Sequence, residues 1–254
     1  MSDEICAVCG GSGWKVVERD GISAAERCEC VAASRAKTLT SGAGIPPLYA
    51  NASLDNFVLP QHNRRGHAAL GDVVNQVRKY AKEEFPFGTD KPGLLFLGEP
   101  GSGKTHLAVA ALRLLMARGF QGLFFDYQNL LERIRSGYDA NSGASDREAY
   151  RSVLDAEVLL LDDLGAHRVL DWIEDTVTSI VTYRCNHRKA LIATTNLPDI
   201  GAGDNLIERT PGGTPLYKTS LADRIGERAR SRLFEMCKVI RMPAVGDYRL
   251  QKAR

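Results

Sequence analysis

The 254-residue sequence lacks any run of about 18 consecutive apolar residues, the length that spans a bilayer, and its acidic start, Met-Ser-Asp-Glu, has no apolar core of signal-peptide length. These absences argue against a membrane-embedded chain and make the cytoplasm the expected compartment. The sequence also lacks a charge excess: 33 Lys and Arg against 31 Asp and Glu leave a net charge of +2. A pI near 8.2 is too mild to mark a nucleic-acid-binding protein by its total, so any such contact must come from local clusters. There is no internal repeat and no low-complexity tract. Cysteine is missing from the whole stretch between Cys30 and Cys185, whereas Cys6, Cys9, Cys28 and Cys30 crowd the first thirty residues. In a reducing compartment, clustered thiols point to metal rather than to disulfides.

What is present divides into a cysteine-bearing segment over residues 1–40, a Gly- and Pro-rich linker over 41–52, and a longer unit over 53–254 in which strand-like and helix-like runs alternate. The spacing predicts helices around 65–84, 103–118, 128–138, 146–155 and 170–187, and strands at 93–98, 123–126, 157–163 and 189–195, with an arginine-rich helix and a last strand, Lys-Val-Ile-Arg-Met, after them. Near-continuous apolar strands separated by helices indicate a parallel sheet covered on both faces.

Gly98-Glu99-Pro100-Gly101-Ser102-Gly103-Lys104-Thr105 fits Gly-x4-Gly-Lys-Ser/Thr, directly after a predicted strand and at the start of a predicted helix. Glycines there let backbone amides turn inward around a phosphate. The helix N-terminus, continuing into His106, adds a positive dipole, Lys104 neutralises β- and γ-phosphate oxygens, and the Thr105 hydroxyl holds magnesium. A glycine-rich turn without a ligand is the bland alternative. The buried strand Val158–Asp163 ends in two acids: Asp162 is expected to reach magnesium through water, and Asp163 to orient or deprotonate the water that attacks the γ-phosphate, unless it only caps the following turn. Another strand runs into Asn196, a neutral amide suited to hold that same water or, alternatively, to shape a turn before Leu-Pro.

In that order and spacing these motifs resemble Walker A, Walker B and sensor 1 of an AAA+ ATPase, and Leu-Leu-Leu-Asp-Asp-Leu-Gly with the late Ser-Arg-Leu-Phe-Glu-Met-Cys and Gly-Asp-Tyr-Arg resembles the replicative helicase loaders (DnaC/DnaI type) and the related IstB transposition helpers over roughly residues 45–250. The resemblance implies a P-loop α/β fold of the ASCE class with a five-stranded parallel sheet in the order 5-1-4-3-2, no C-terminal lid domain, and ATP with magnesium at a subunit interface. It also implies slow ATP hydrolysis, self-association, and a replicative helicase (DnaB type) and single-stranded DNA as partners. Asp163 stands where many AAA+ proteins have Glu, as across the loader branch.

Cys6-x2-Cys9 and Cys28-x-Cys30 supply four thiolates in two pairs, the number that tetrahedral zinc requires, and Cys-Ala-Val-Cys-Gly-Gly-Ser-Gly resembles the zinc knuckles of DnaJ-type chaperones. So short a segment would draw its folding energy from the metal. Free or redox-active cysteines are the alternative. By family resemblance the module docks on the helicase, with DNA as the other candidate.

Arg224, Arg228, Arg230 and Arg232 fall within nine residues. On one continuous helix, at about 100° per residue, Arg224, Arg228 and Arg232 would share a stripe beside Leu221, Ile225 and Leu233, with Ser220 and Asp223 as a cap and Gly226 able to delay the start. Arg232 matches the arginine-finger position of the loader family and Arg228 lies one turn before it, so both are expected at the γ-phosphate of a neighbouring subunit; a solvated or DNA-facing helix is the alternative. Arg133 and Arg135 between Tyr127 and Tyr138 have the mixture of cations and aromatics used on single strands, and His167 and Arg168 are weaker candidates. Two other classes compete: a small-molecule P-loop kinase, disfavoured by Asn196 and the arginine helix, and a nucleotide-independent zinc adaptor.

Overall fold

The structure is a computed structural model and describes residues 7–9, 12, 14–19, 22–27, 42–86, 89–136, 144–166, 171–209 and 215–248. In the N-terminal segment β1 (Trp14–Arg19) and β2 (Ile22–Arg27) pair antiparallel. The larger unit then runs α1 (Arg64–Lys79), prolonged by a π-helical turn at Tyr80–Glu84, β3 (Gly93–Leu97), α2 (Lys104–Ala117), β4 (Gly122–Asp126), α3 (Tyr127–Ser136), α4 (Ala144–Asp155), β5 (Val158–Asp162), α5 (Asp171–Asn186) and β6 (Ala190–Thr195). A small antiparallel pair, β7 (Ile207–Arg209) and β8 (Pro215–Tyr217), precedes α6 (Ala222–Ile225), α7 (Glu227–Met236) and β9 (Cys237–Arg241).

β3, β4, β5, β6 and β9 form one sheet in the order β4-β5-β6-β3-β9, with every pairing parallel. Numbered among themselves the strands read 2-3-4-1-5, the expected order seen from the other edge. The central strands β3 and β6 are buried at every residue, while the edge strands β4 and β9 are only partly buried. Alternation along each strand sorts the side chains into two cores. Leu94, Phe96, Leu160 and Ile192 face α1 and α2. Leu95, Leu97, Leu159, Leu161 and Leu191 face the helices on the other side, α3, α5 and α7 among them. Residues of the 42–52 stretch also enter: Ala43 and Ala52 are buried, and the Phe124 amide donates to the Ala43 carbonyl at 2.7 Å.

The second layer contains a fully buried arginine. Arg184 donates to the carbonyls of Val153 (2.7 Å) in the last turn of α4, Glu157 (3.3 Å) and Ala190 (2.5 Å), so one guanidinium ties the C-terminus of α4 to the starts of β5 and β6. Burial pushes its pKa down to about 10, which leaves it charged at neutral pH.

The arginine-rich segment is not one helix. Gly226, at φ 80° and ψ 151°, separates α6 from α7, so Arg224 leaves the stripe and only Arg228 and Arg232 remain on a common helix face. Ser220 and Asp223 do exchange bonds as a capping box, the Ser220 amide donating to the Asp223 carboxylate at 2.7 Å and the Asp223 amide to the Ser220 hydroxyl at 3.2 Å, but they start the short α6 rather than α7. A side chain at Gly226 would be both strained and driven into Glu174.

Gly226→Ala is therefore expected to lose about 2–4 kcal/mol of stability. Gly71→Ala, in mid-α1 with open space around it, is expected to gain about 0.5–1 kcal/mol. Urea unfolding of both variants checks the pair; a Gly226→Ala protein as stable as the parent would show that the break in the arginine segment is not enforced there.

Candidate functional site

Parallel strands buried on both faces release their polar residues at the C-terminal edge, and the site gathers there. After Leu97 the chain turns through Gly98–Gly103 into α2. Gly103, the residue that caps α2, is left-handed (φ 93°) and contributes no side-chain bond, so the first amides of the helix stay available to an anion. The Phe57 ring lies against Gly103, where a Cβ would come within 2.6 Å of it. His106 holds the same segment from the helix side, its Nε2 2.9 Å from the Ser53 carbonyl oxygen and its ring edge-on to Phe57.

Lys104 is buried. Its ammonium donates to the carbonyls of Gly98 and Glu99, both at 2.8 Å, folding the side chain back over its own loop. The Ser102 hydroxyl closes the loop on Glu99 at 2.8 Å. Across the sheet edge, the Thr194 hydroxyl donates to the Asp162 carboxylate at 2.7 Å and accepts the Asp163 amide at 2.9 Å. The Asn196 amide donates to the Asp163 carboxylate at 2.7 Å. Asp163 has φ 57°, a left-handed conformation that Asp and Asn tolerate better than longer side chains. Together with Pro100 and Gly101, these groups line one open cleft of about 1070 Å³ whose other wall is the segment Asn56–His62.

Burial raises the pKa of Asp162; the Thr194 and Thr105 hydroxyls oppose it by hydrogen bonding, and the nearby Asp163 and Asp126 carboxylates add to it. The set suits magnesium: the Thr105 hydroxyl and the Asp162 carboxylate are hard oxygen donors in contact with each other. Among the described residues no group of three or more His, Cys, Asp or Glu is placed to hold a metal. A magnesium ion that keeps waters and takes phosphate oxygens does not need one.

The structure thus brings Gly98–His106, Asp162, Asp163 and Asn196 together, and keeps the predicted fingers apart from them. Arg228 is exposed on α7, Arg232 pairs with Glu235 at 2.6 Å, and neither lines the cleft. Arg230 is an anchor, with both guanidinium edges on the buried Asp199 (2.5 and 2.7 Å) and its plane over Phe234. Tyr127 is corrected: it is 1% exposed in the core with its hydroxyl unbonded, so it is not a stacking platform for bases. Arg133 and Arg135 are exposed, with Arg133 over the Phe125 ring. Tyr138, His167, Arg168, Cys6, Cys28 and Cys30 lie outside the described residues, and Cys9 sits in a turn closed by Ser12.

Sequence reasoning missed three contributors. Thr194 was visible as a hydroxyl inside a strand buried throughout. Asp126 ends β4 in register with Asp162. Val245, Gly246 and Tyr248 also line the cleft; the Gly-Asp-Tyr-Arg stretch carried the family resemblance, but its residue types pointed to no place beside the phosphate loop. No helix among the described residues is long and apolar enough to cross a membrane.

Comparison with known proteins agrees with this geometry. The family described as IstB-like ATP binding protein matches residues 75–208. The replicative helicase loader DnaC of Buchnera aphidicola subsp. Acyrthosiphon pisum (strain APS) is 24% identical over 180 residues, covering 69% of this chain and 70% of that protein. A crystal structure of the DnaC helicase loader superposes with a TM-score of 0.61 at 31% identity, covering 78% of this chain and 100% of the other. The crystal structure of DnaI gives 0.58 at 22% identity, covering 79% and 95%, a likeness of fold alone.

The raised pKa of Asp162 has a definite sign. A carboxyl whose folded pKa lies above its unfolded one contributes stability that is complete below the unfolded value and is lost as pH rises through the folded value. The charged form of Asp162 is therefore a burden on the nucleotide-free protein. Asp162→Asn is expected to raise the melting temperature of that protein at pH 7.5 while abolishing magnesium-dependent nucleotide binding, and a lower melting temperature would contradict the assignment.

Proposed function

Because the chain belongs to the IstB-like ATP-binding protein family, we propose that it is a cytoplasmic, ATP-switched loader of the replicative DNA helicase onto single-stranded DNA, and that it hydrolyses ATP slowly. The observation that carries this reading is the joint one: a phosphate loop, two acids and an amide at one sheet edge, in a chain 31% identical to the crystallised chain of a DnaC helicase loader, with 78% of this chain covered.

The residues divide the work as follows. The amides of Gly101–Thr105 cradle the β- and γ-phosphates, and Lys104 leaves the Gly98 and Glu99 carbonyls for phosphate oxygens. Thr105 and Asp162 would hold magnesium, which neutralises charge on the phosphates when bound. Asp163, held by Asn196, takes a proton from water as its oxygen bonds to the γ-phosphorus and the bond to the β–γ bridging oxygen breaks, leaving ADP and phosphate. Arg232, released from Glu235, and Arg228 meet the γ-phosphate of a neighbouring copy. Cys6, Cys9, Cys28 and Cys30 bind one zinc and form the helicase-docking module. The family name favours a second reading, a transposition helper, in which the partner is a transposase rather than a helicase.

Lys104→Ala is expected to lose ATP binding, and Asp163→Asn to keep binding while turnover falls by about 10²-fold or more. Lys104→Ala and Arg232→Ala, each inactive alone, are expected to regain partial turnover when mixed with helicase and single-stranded DNA, because one interface then pairs an intact loop with an intact finger. No recovery in oligomers shown to be mixed would remove Arg232 from the neighbour's site.

Protein purified without chelator is expected to carry one zinc per chain and to capture the replicative helicase in the presence of ATP, and a Cys28→Ser/Cys30→Ser variant to keep ATP binding but lose both zinc and capture. Absence of capture by the unaltered chain would overturn the loader reading in favour of the transposition helper.

A further inference from the structure

The chain beyond β9 does not leave the sheet edge. The Met242 amide donates to the Leu97 carbonyl at 2.8 Å, so the strand pairing continues up to the phosphate loop, and Met242 is packed against Gly98 closely enough that a Cβ there would come within 2.7 Å of it. Val245 then rests on Gly66 in the first turn of α1, and Gly246, at φ 83°, turns the chain back across the loop. The Asp247 carboxylate comes to lie on the Cα of Gly101, in the space a side chain at Gly101 would need, and the Tyr248 amide donates to the Gly101 carbonyl at 3.1 Å. Val245, Gly246 and Tyr248 line the same cleft as Lys104, Thr105, Asp162 and Asp163.

A carboxylate laid on this loop has a distinctive consequence. Uncapped amides at a helix N-terminus attract anions, and that attraction serves a phosphate and a carboxylate alike. A nucleotide polyphosphate in the loop would lie a few ångströms from Asp247, where two negative charges repel. Main-chain bonds from the Met242 amide to Leu97 and from the Tyr248 amide to Gly101 hold the segment, together with the apolar contacts of Met242 and Val245, while Tyr248 itself is 43% exposed.

From this geometry we infer that Met242–Tyr248 is a strap displaced by nucleotide, in which Asp247 competes with the nucleotide's phosphates for the Gly101 side of the loop. The inference rests on the ATP reading of the cleft and specifies its regulation. Nucleotide binding lifts the strap off the loop, and the nucleotide-free protein holds it down.

The test measures the affinity of a non-hydrolysable ATP analogue for the full chain and for Asp247→Asn and Tyr248→Pro, the second of which removes the amide that bonds Gly101. Hydrogen exchange at the Tyr248 amide is followed in the unaltered chain with and without the analogue. The expected result is binding tightened about tenfold in Asp247→Asn, tightening in the same direction in Tyr248→Pro, and Tyr248 protection that is lost at saturating analogue. If the unaltered chain binds the analogue but Asp247→Asn binds equally or more weakly, or if Tyr248 stays protected, the strap is overturned and the ATP reading stands. If neither the unaltered chain nor Asp247→Asn binds the analogue, both are overturned.

Discussion

A parallel strand buried on both faces has no room for a polar side chain except at its ends, and most of this molecule follows from that constraint. β3 and β6 are buried at every residue, and β5 is less than fully buried only at Asp162, its last. The polar chemistry of three crossover units is therefore driven to one edge, where the strand that precedes the loop, the strand that ends in acids and the strand that ends before an amide lie side by side. Thr194 is an exception inside β6, tolerated because its hydroxyl is fully used between Asp162 and the Asp163 amide. One short side chain thus sets the spacing of the two acids relative to each other and to Asn196.

Much of this was legible from residue types alone. Gly98–Thr105 and the acid pair were readable because phosphate binding demands glycine, lysine and a hydroxyl in a fixed order, and the strands because a doubly covered sheet requires long apolar runs. Other parts were hidden for equally physical reasons. β7 and β8 span three residues each, and β8 is exposed throughout, so neither has a period to detect. The break at Gly226 is a matter of backbone angles rather than composition. Tyr127 looked available to bases, yet Tyr127, Leu130, Leu131 and Ile134 are spaced three and four apart and form the buried face of α3. The strap over Gly101 was invisible because a close approach between segments nearly 150 residues apart leaves no local trace.

The arginine-rich stretch shows how a sequence cluster can serve several ends. Arg230 is committed to Asp199 and Phe234, a charged bond to a buried carboxylate that fixes α7 against the loop following β6. Arg232 meets a solvent-exposed glutamate one turn on and the Cys185 side chain, and an exposed pair of this kind contributes little and is readily exchanged for a stronger partner. Neighbouring positions on one short helix are thereby divided between attachment and reach. Buried Arg184 is a third kind, placed to satisfy carbonyls with no carboxylate among its bonded partners.

The strand order carries a consequence for how the chain comes into being. β3, which bears the phosphate loop, is flanked by β6 and by β9, and Gly93 pairs with Cys237. A polypeptide emerging from the ribosome exposes β3 while its second neighbour, more than a hundred residues further along, has still to be made. Such distant pairings form slowly because a long loop must close before any contact rewards it. The strand that bears the loop thus gains its second neighbour only once β9 is made, and a nascent chain halted before β9 would present the loop on an unpaired strand edge.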